Sequence, residues 1–219
     1  MKKTLLLSSL FACFSCAVQA GPCVGGFLDT YTAAGFSCVF DGITFSNFSY
    51  DPTASGGAAT PDAGGVSVNP EIVGTEGGFL FTGGFLVGPN QVEDATITYT
   101  ATCDGCLIDD LVLIMGGGSK GTGLASVSET STSVTPNVNL LTGGSFLSDM
   151  TTFTTGVGSI TLTKDIGVSG GTDGFAHISA VTNLFSTNVT TMTPEPALGL
   201  LCVGLLGMIP VARRKLGRL

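Results

Sequence analysis

The chain has 219 residues, 43% of them hydrophobic, with 33 glycines, no tryptophan and a formal net charge of −8. Its cations gather at the ends: between residues 21 and 193 only Lys120 and Lys164 stand against fifteen acids, a net charge of −13. A body this acidic argues against nucleic acid and anionic lipid as partners, admits cations, and keeps an exported protein in solution.

In chain order, Lys2 and Lys3 precede an apolar stretch from Thr4 to Ala17, and Val18-Gln19-Ala20 offers small residues for a signal peptidase. That pattern predicts a cleaved signal peptide over 1–20 with a short signal helix. Leu10-Phe11-Ala12-Cys13 loosely matches a lipid-attachment box, the alternative reading of this end. An ectodomain follows over 21–186, then a linker over 187–193. A short helix is expected around Phe27 to Ala34. Ile43-Thr-Phe45 changes phase before Phe48-Ser-Tyr50, which predicts a bulge near Ser46-Asn47. Thr53 to Gly65 reads as a loop. Phe79 to Thr82 and Phe85 to Val87 read as consecutive hairpin edges, because Gly-Gly-Phe-Leu recurs at 77 and 83.

From Ala95 to Cys103 the alternation is strict, with Thr96, Thr98, Thr100 and Thr102 on one face and Ile97, Tyr99, Ala101 and Cys103 on the other. Leu107 to Met115 is a strand interrupted at Asp109-Asp110 and ended by Gly116-Gly117-Gly118. Ser126 to Thr135 reads as a loop, Ser159 to Thr163 as a strand, and Phe175 to Thr182 as another. Many short strands with glycine-rich turns predict a mainly β ectodomain, an antiparallel β-sandwich or jelly roll.

At the C-terminus, Pro194-Glu195-Pro196 precedes an apolar run over 197–212, then Arg213-Arg214-Lys215. As a helix that run is about 24 Å long against about 30 Å of hydrocarbon, enough for a transient inner-membrane anchor with its basic end cytoplasmic. These residues resemble the PEP-CTERM sorting signal of Gram-negative bacteria, a motif also catalogued as an ice-binding-protein C-terminal domain. The resemblance covers 193–219 and implies an exosortase-type membrane enzyme as partner, a surface or secreted destination, and association with exopolysaccharide. The body is similar to acidobacterial-type PEP-CTERM proteins of unknown function, on Cys38-x-x-Asp41-Gly42-Ile43-Thr44-Phe45-Ser46-Asn47-Phe48 and on Thr163-Lys164-Asp165-Ile166 with Gly170-Gly171. That second resemblance implies a shared sandwich-like fold and no activity.

Once both ends are trimmed, Cys23, Cys38, Cys103 and Cys106 remain. Three disulfide connectivities are open to them, with Cys23–Cys38 and Cys103–Cys106 expected; a four-cysteine zinc site is the alternative. His177 is the lone histidine and reads as a strand-face residue. The body has no arginine to clamp an anion. The glycines around Lys120 lack the order of a phosphate loop and read as a flexible turn.

Glu93-Asp94 and Asp104 with Asp109-Asp110 are the paired carboxylates, candidates for calcium or for a glycosidase pair. The threonine face at 96–102 raises ice binding, against a solvent-facing sheet edge. The expectation is a non-enzymatic surface or matrix protein associated with extracellular polysaccharide and needing no cofactor. A calcium-assisted carbohydrate-binding module is the alternative, with a glycoside hydrolase or ice-binding protein behind it.

Overall fold

The computed structural model describes residues 20–131, 138–142 and 147–188. The expected signal segment up to residue 19, residues 189–193 of the expected linker, and the expected sorting tail with Pro194, Glu195, Pro196, Arg213, Arg214 and Lys215 lie outside the described residues. Thirteen strands are assigned. In chain order they begin with β1 (Gly21–Pro22), β2 (Gly26–Phe27), β3 (Ser37–Phe40), β4 (Ile43–Ser55), β5 (Ser67–Val73), β6 (Glu76–Val87) and β7 (Val92–Cys103). They continue with β8 (Leu107–Lys120), β9 (Leu124–Ser131), β10 (Val138–Thr142), β11 (Leu147–Val157), β12 (Ser159–Ser169) and β13 (Phe175–Asn188). Helix α1 (Leu28–Tyr31) is a single turn inside the stretch expected to be helical.

The strands form a seven-stranded sheet, β1-β3-β4-β7-β12-β9-β10, and a six-stranded sheet, β11-β8-β13-β6-β5-β2. Pairing is antiparallel throughout except between β1 and β3. The inner faces meet in one hydrophobic core, because the long strands, β7 and β12 most regularly, alternate buried and outward residues with period two. Its centre is aromatic. Phe79 of β6 stands edge-on to Phe45 of β4 at 4.5 Å and to Tyr31 of α1 at 5.7 Å, while Phe48 stacks on Tyr99 at 5.2 Å. Helix α1 plugs one end of this core: Tyr31 is buried and its hydroxyl donates to the Val24 carbonyl at 2.6 Å.

Turn chemistry sets the register. Asp41 and Gly42 both take positive φ and join β3 to β4 as a two-residue hairpin, the backbone that Asp-Gly prefers. The expected bulge is present: pairing of β4 with β7 slips between Ser46 and Ser49, and Asn47 sits at φ 57°. Cys23 and Cys38 form the expected disulfide, with Cα atoms 4.8 Å apart. Cys103 and Cys106 are paired as well, across the Asp104-Gly105 turn. The Cys23–Cys38 bond belongs to an oxidising, extracytoplasmic compartment.

Several expectations are corrected, all in the same direction. The two Gly-Gly-Phe-Leu copies are not hairpin edges but lie along one continuous strand, β6, whose pairing with β13 slips beside Gly83. Gly116 to Gly118 do not end β8, which runs on to Lys120. Ser126 to Ser131 is not a loop but most of β9, and Thr53 to Ser55 belong to β4. Glycine and serine weaken strand propensity, yet a strand with partners on both sides receives its hydrogen bonds from them regardless. β13 likewise reaches Asn188, into the stretch read as linker.

Candidate functional site

Three places gather side chains that the core does not need. The broadest is the outer face of the seven-stranded sheet. Register sets Thr44, Thr102 and Ser159 side by side, then Ser46, Thr100 and Thr161, then Ser49, Thr98, Thr163 and Thr130. The next row is Asp51, Thr96, Asp165 and Ser128. Hydroxyls meet across the strands: Thr98 with Thr163 at 3.2 Å, Thr100 with Thr161 at 3.0 Å, and Thr102 with Ser159 at 2.8 Å. Strand β7 is central in the sheet, so the threonine run is the middle column of a hydroxyl lattice and not a sheet edge. The spacing is about 4.8 Å across strands and about 6.8 Å along them.

At one end the lattice is dented. Gly167 offers no side chain between Asp94 and Ser126, leaving a shallow cavity of about 120 Å³ lined also by Val92, Leu124 and Ser169. Burial raises the Asp94 carboxyl above its ordinary value, and the charge of Asp165, with which it shares a hydrogen bond, adds to the rise. The folded state thus holds this proton more tightly than the unfolded chain. Its contribution to stability is full at acid pH and is lost as pH rises through the folded-state value. Asp165→Asn is therefore expected to melt at a higher temperature than the unaltered protein at pH 7, with the gap closing below about pH 4. Melting curves at the two pH values check this; a gap of the same size at both would contradict it.

A second place is the cleft where one edge of the sandwich opens. Pro61, Asp62, Gly65, Val66, Gly84 and Phe85 line a cavity of about 260 Å³. Beside it the Tyr50 hydroxyl donates to the Pro61 carbonyl at 3.3 Å, and Glu93 accepts the Leu86 amide at 3.0 Å. The Tyr50 phenol is pushed up to about 12 by burial, then by the charges of Asp62 and Glu93. Burial likewise raises the Glu93 carboxyl, an effect opposed by the Leu86 amide.

The remaining acids singled out from sequence are not brought to this cleft. Asp94 points to the opposite face of β7 from Glu93, and Asp104 lies beyond the far end of that strand, about 35 Å away along an extended chain. Asp109 and Asp110 sit on the other sheet, where β8 slips register and Asp110 accepts the Ser186 amide at 3.1 Å. Among the described residues no three His, Cys, Asp or Glu side chains are grouped to hold a metal ion. Glu93, Asp94, Asp104, Asp109 and Asp110 are therefore not gathered in one place: β7 carries the first two on opposite faces, Asp104 follows its far end, and Asp109 and Asp110 lie on β8 of the other sheet. His177 lies on the outer face of the six-stranded sheet, its ring 5.6 Å from Phe175.

The third place was missed entirely. Lys164 of β12, Glu129 of β9 and Asn183 of β13 form a buried polar cluster between the sheets, none of them more than 1% exposed. Lys164 Nζ donates to Glu129 Oε1 at 3.0 Å and to Asn183 Oδ1, while Asn183 Nδ2 donates to Glu129 Oε2 at 2.6 Å. The signal was present in the alternation: Ile160, Leu162, Lys164 and Ile166 share one phase, as do Ala125, Val127 and Glu129.

No family model matches the chain, and no curated protein is detectably similar to it. Among solved structures it is similar to TmCBM61, determined in complex with β-1,4-galactotriose, at a TM-score of 0.34 and 10% identity over 62% of this chain and 88% of that one. It is also similar to the enzymatically active domain of bacteriophage CBA120 tailspike protein 4, at a TM-score of 0.29 and 16% identity over 64% of this chain and 19% of that one.

Proposed function

We propose that the chain is an exported, non-enzymatic surface or matrix protein whose sandwich associates with extracellular polysaccharide, after sorting through its PEP-CTERM tail by an exosortase-type enzyme. The observation that carries this reading is the hydroxyl lattice. Four neighbouring strands present threonine and serine in register, without a cation or an aromatic ring among the rows. Such a face donates and accepts hydrogen bonds at regular intervals, which suits a long hydroxylated polymer lying along it. Individual contacts of this kind are weak, about 1 kcal/mol each, and add up only over a repeating ligand. The Cys23–Cys38 disulfide and the negative charge of the body support service outside the cytoplasm.

Co-sedimentation of the exported protein with extracellular polysaccharide tests the reading, with Thr100→Lys and Thr161→Lys as variants. Either lysine is expected to weaken capture at least about tenfold, the loss of about 1.4 kcal/mol, while the melting temperature stays within about 2 °C. Undiminished capture by both variants removes the lattice from the site. Thermal hysteresis in place of capture assigns the same lattice to ice. Release of new reducing ends overturns the non-enzymatic reading.

The cleft supports a second reading, a carbohydrate-binding module that holds one sugar residue. Tyr50, whose phenol feels the charges of Asp62 and Glu93, lies beside a cavity of about 260 Å³, an aromatic ring with a few polar groups of the kind small-ligand clefts present. Calcium assistance would have to come from Asp62 and Glu93 with the ligand's own oxygens, so it is tested by repeating the sedimentation with a chelator. Tyr50→Phe weakening capture, with the lysine variants intact, selects the cleft over the lattice.

A further inference from the structure

We propose that Lys164 and Asn183 become joined by an intramolecular isopeptide bond, which the folded protein forms on itself with Glu129 as the proton-transfer group. The inference does not depend on what the surface binds. It begins from a cost. An amine and a carboxylate are sealed in the core of a small sandwich, where the desolvation of each ion is only partly returned by their attraction. Burial pushes the Lys164 ammonium below its ordinary value, against the opposing charge and hydrogen bond of Glu129, so the free amine is accessible.

That amine does not face the carboxylate alone. Its nitrogen touches the carboxamide oxygen of Asn183, which places it beside Cγ, the carbon that a nucleophile attacks. Glu129 bridges both ends of the reaction. Oε1 contacts the nitrogen that must lose protons, and Oε2 contacts Nδ2, the nitrogen that must gain one to leave. The surroundings are dry: Lys164 Nζ lies 5.8 Å from the Phe81 ring centre, and Phe81 is buried. The Tyr99 hydroxyl is also buried, with no hydrogen-bond partner among the described residues. Its phenol is held well above the ordinary value by burial and then by the charge of Glu129, so it belongs to the same enclosure.

The step balances without any further reactant. Glu129 takes a proton from the Lys164 ammonium, and the amine lone pair attacks Cγ of Asn183. As the new Nζ–Cγ bond forms, Glu129 delivers its proton to Nδ2 and, a carboxylate again, takes the second proton from Nζ. The Cγ–Nδ2 bond then breaks and ammonia departs. Nothing is oxidised or reduced. The products are a neutral secondary amide, one free ammonia and a protonated Glu129, so neither charge that burial penalised remains. Reactants held in contact by a fold react as if at very high concentration, which makes an otherwise inert carboxamide competent. The bond would tie β12 of the seven-stranded sheet to β13 of the six-stranded sheet, across the middle of the core.

Mass spectrometry of the full exported chain, reduced and denatured, tests this directly. After trypsin, the segment from Gly121 through Asn183 is expected to stay in one piece, uncut after Lys164 and lighter by one ammonia, about 17 Da. Fragmentation should show Lys164 and Asn183 joined. Glu129→Gln is expected to keep the full mass and to be cut after Lys164. The unaltered chain decides the matter even where a variant fails to fold. A full-mass segment cut normally after Lys164 overturns the proposal.

Discussion

Glu129→Ala is expected to unfold at markedly lower urea concentration than a Glu129→Leu/Lys164→Met/Asn183→Leu triple variant, by roughly 3 kcal/mol in stability. Neither variant can close the bond proposed above, so the comparison isolates the orphaned amine. In the single variant Lys164 keeps its amine in a fully buried site with Asn183 as its remaining partner. In the triple variant all three polar ends are replaced by apolar side chains of similar size, and the space between β9, β12 and β13 fills with carbon. Breaking a buried pair costs about 3–5 kcal/mol, whereas replacing it whole is often neutral. Equal stabilities would mean that water or another group reaches Lys164 and satisfies it.

The second large effect is at the aromatic centre. Phe79 is fully buried and lies within 6.4 Å, ring to ring, of Tyr31, Phe45, Phe48, Phe81 and Tyr99. Its ring meets rings of α1, β4, β6 and β7 at once. Phe79→Ala is expected to cost about 3–5 kcal/mol, because rings fixed on two sheets and a disulfide-tethered helix cannot collapse into the space. Leu86→Ala on the outer face of the same strand should stay within about 0.5 kcal/mol, since Leu86 is already 55% exposed. Urea unfolding of the two variants side by side checks the contrast. A loss below about 1 kcal/mol for Phe79 would show that the core repacks.

The chemistry of the site was less legible than the fold. Carboxylates in adjacent pairs drew attention as metal ligands, yet adjacency in a strand sends two side chains to opposite faces. Glu93 and Asp94 were parted by that rule alone. Conversely, Glu129 and Asn183 gave no alarm singly, being 54 residues apart on strands of different sheets. Their phase in the alternation pointed inward, and an inward charged residue is the observation that needed a partner. Ser126 to Ser131, read as loop from composition, carried one of the three cluster members.

Residue order alone determined the strands with strict alternation, the bulge near Asn47 and the pairing of Cys23 with Cys38. These follow from interactions within a few residues, where φ preference and the two-residue period act directly. Only the tertiary structure decided which strands are neighbours. It thereby laid the threonines of β7 beside those of β12 as a lattice, set Tyr50 against Asp62 and Glu93, and closed Lys164, Glu129 and Asn183 into one dry enclosure. Those contacts are set by strand order within a sheet and by how the two sheets face each other, and no local preference encodes either.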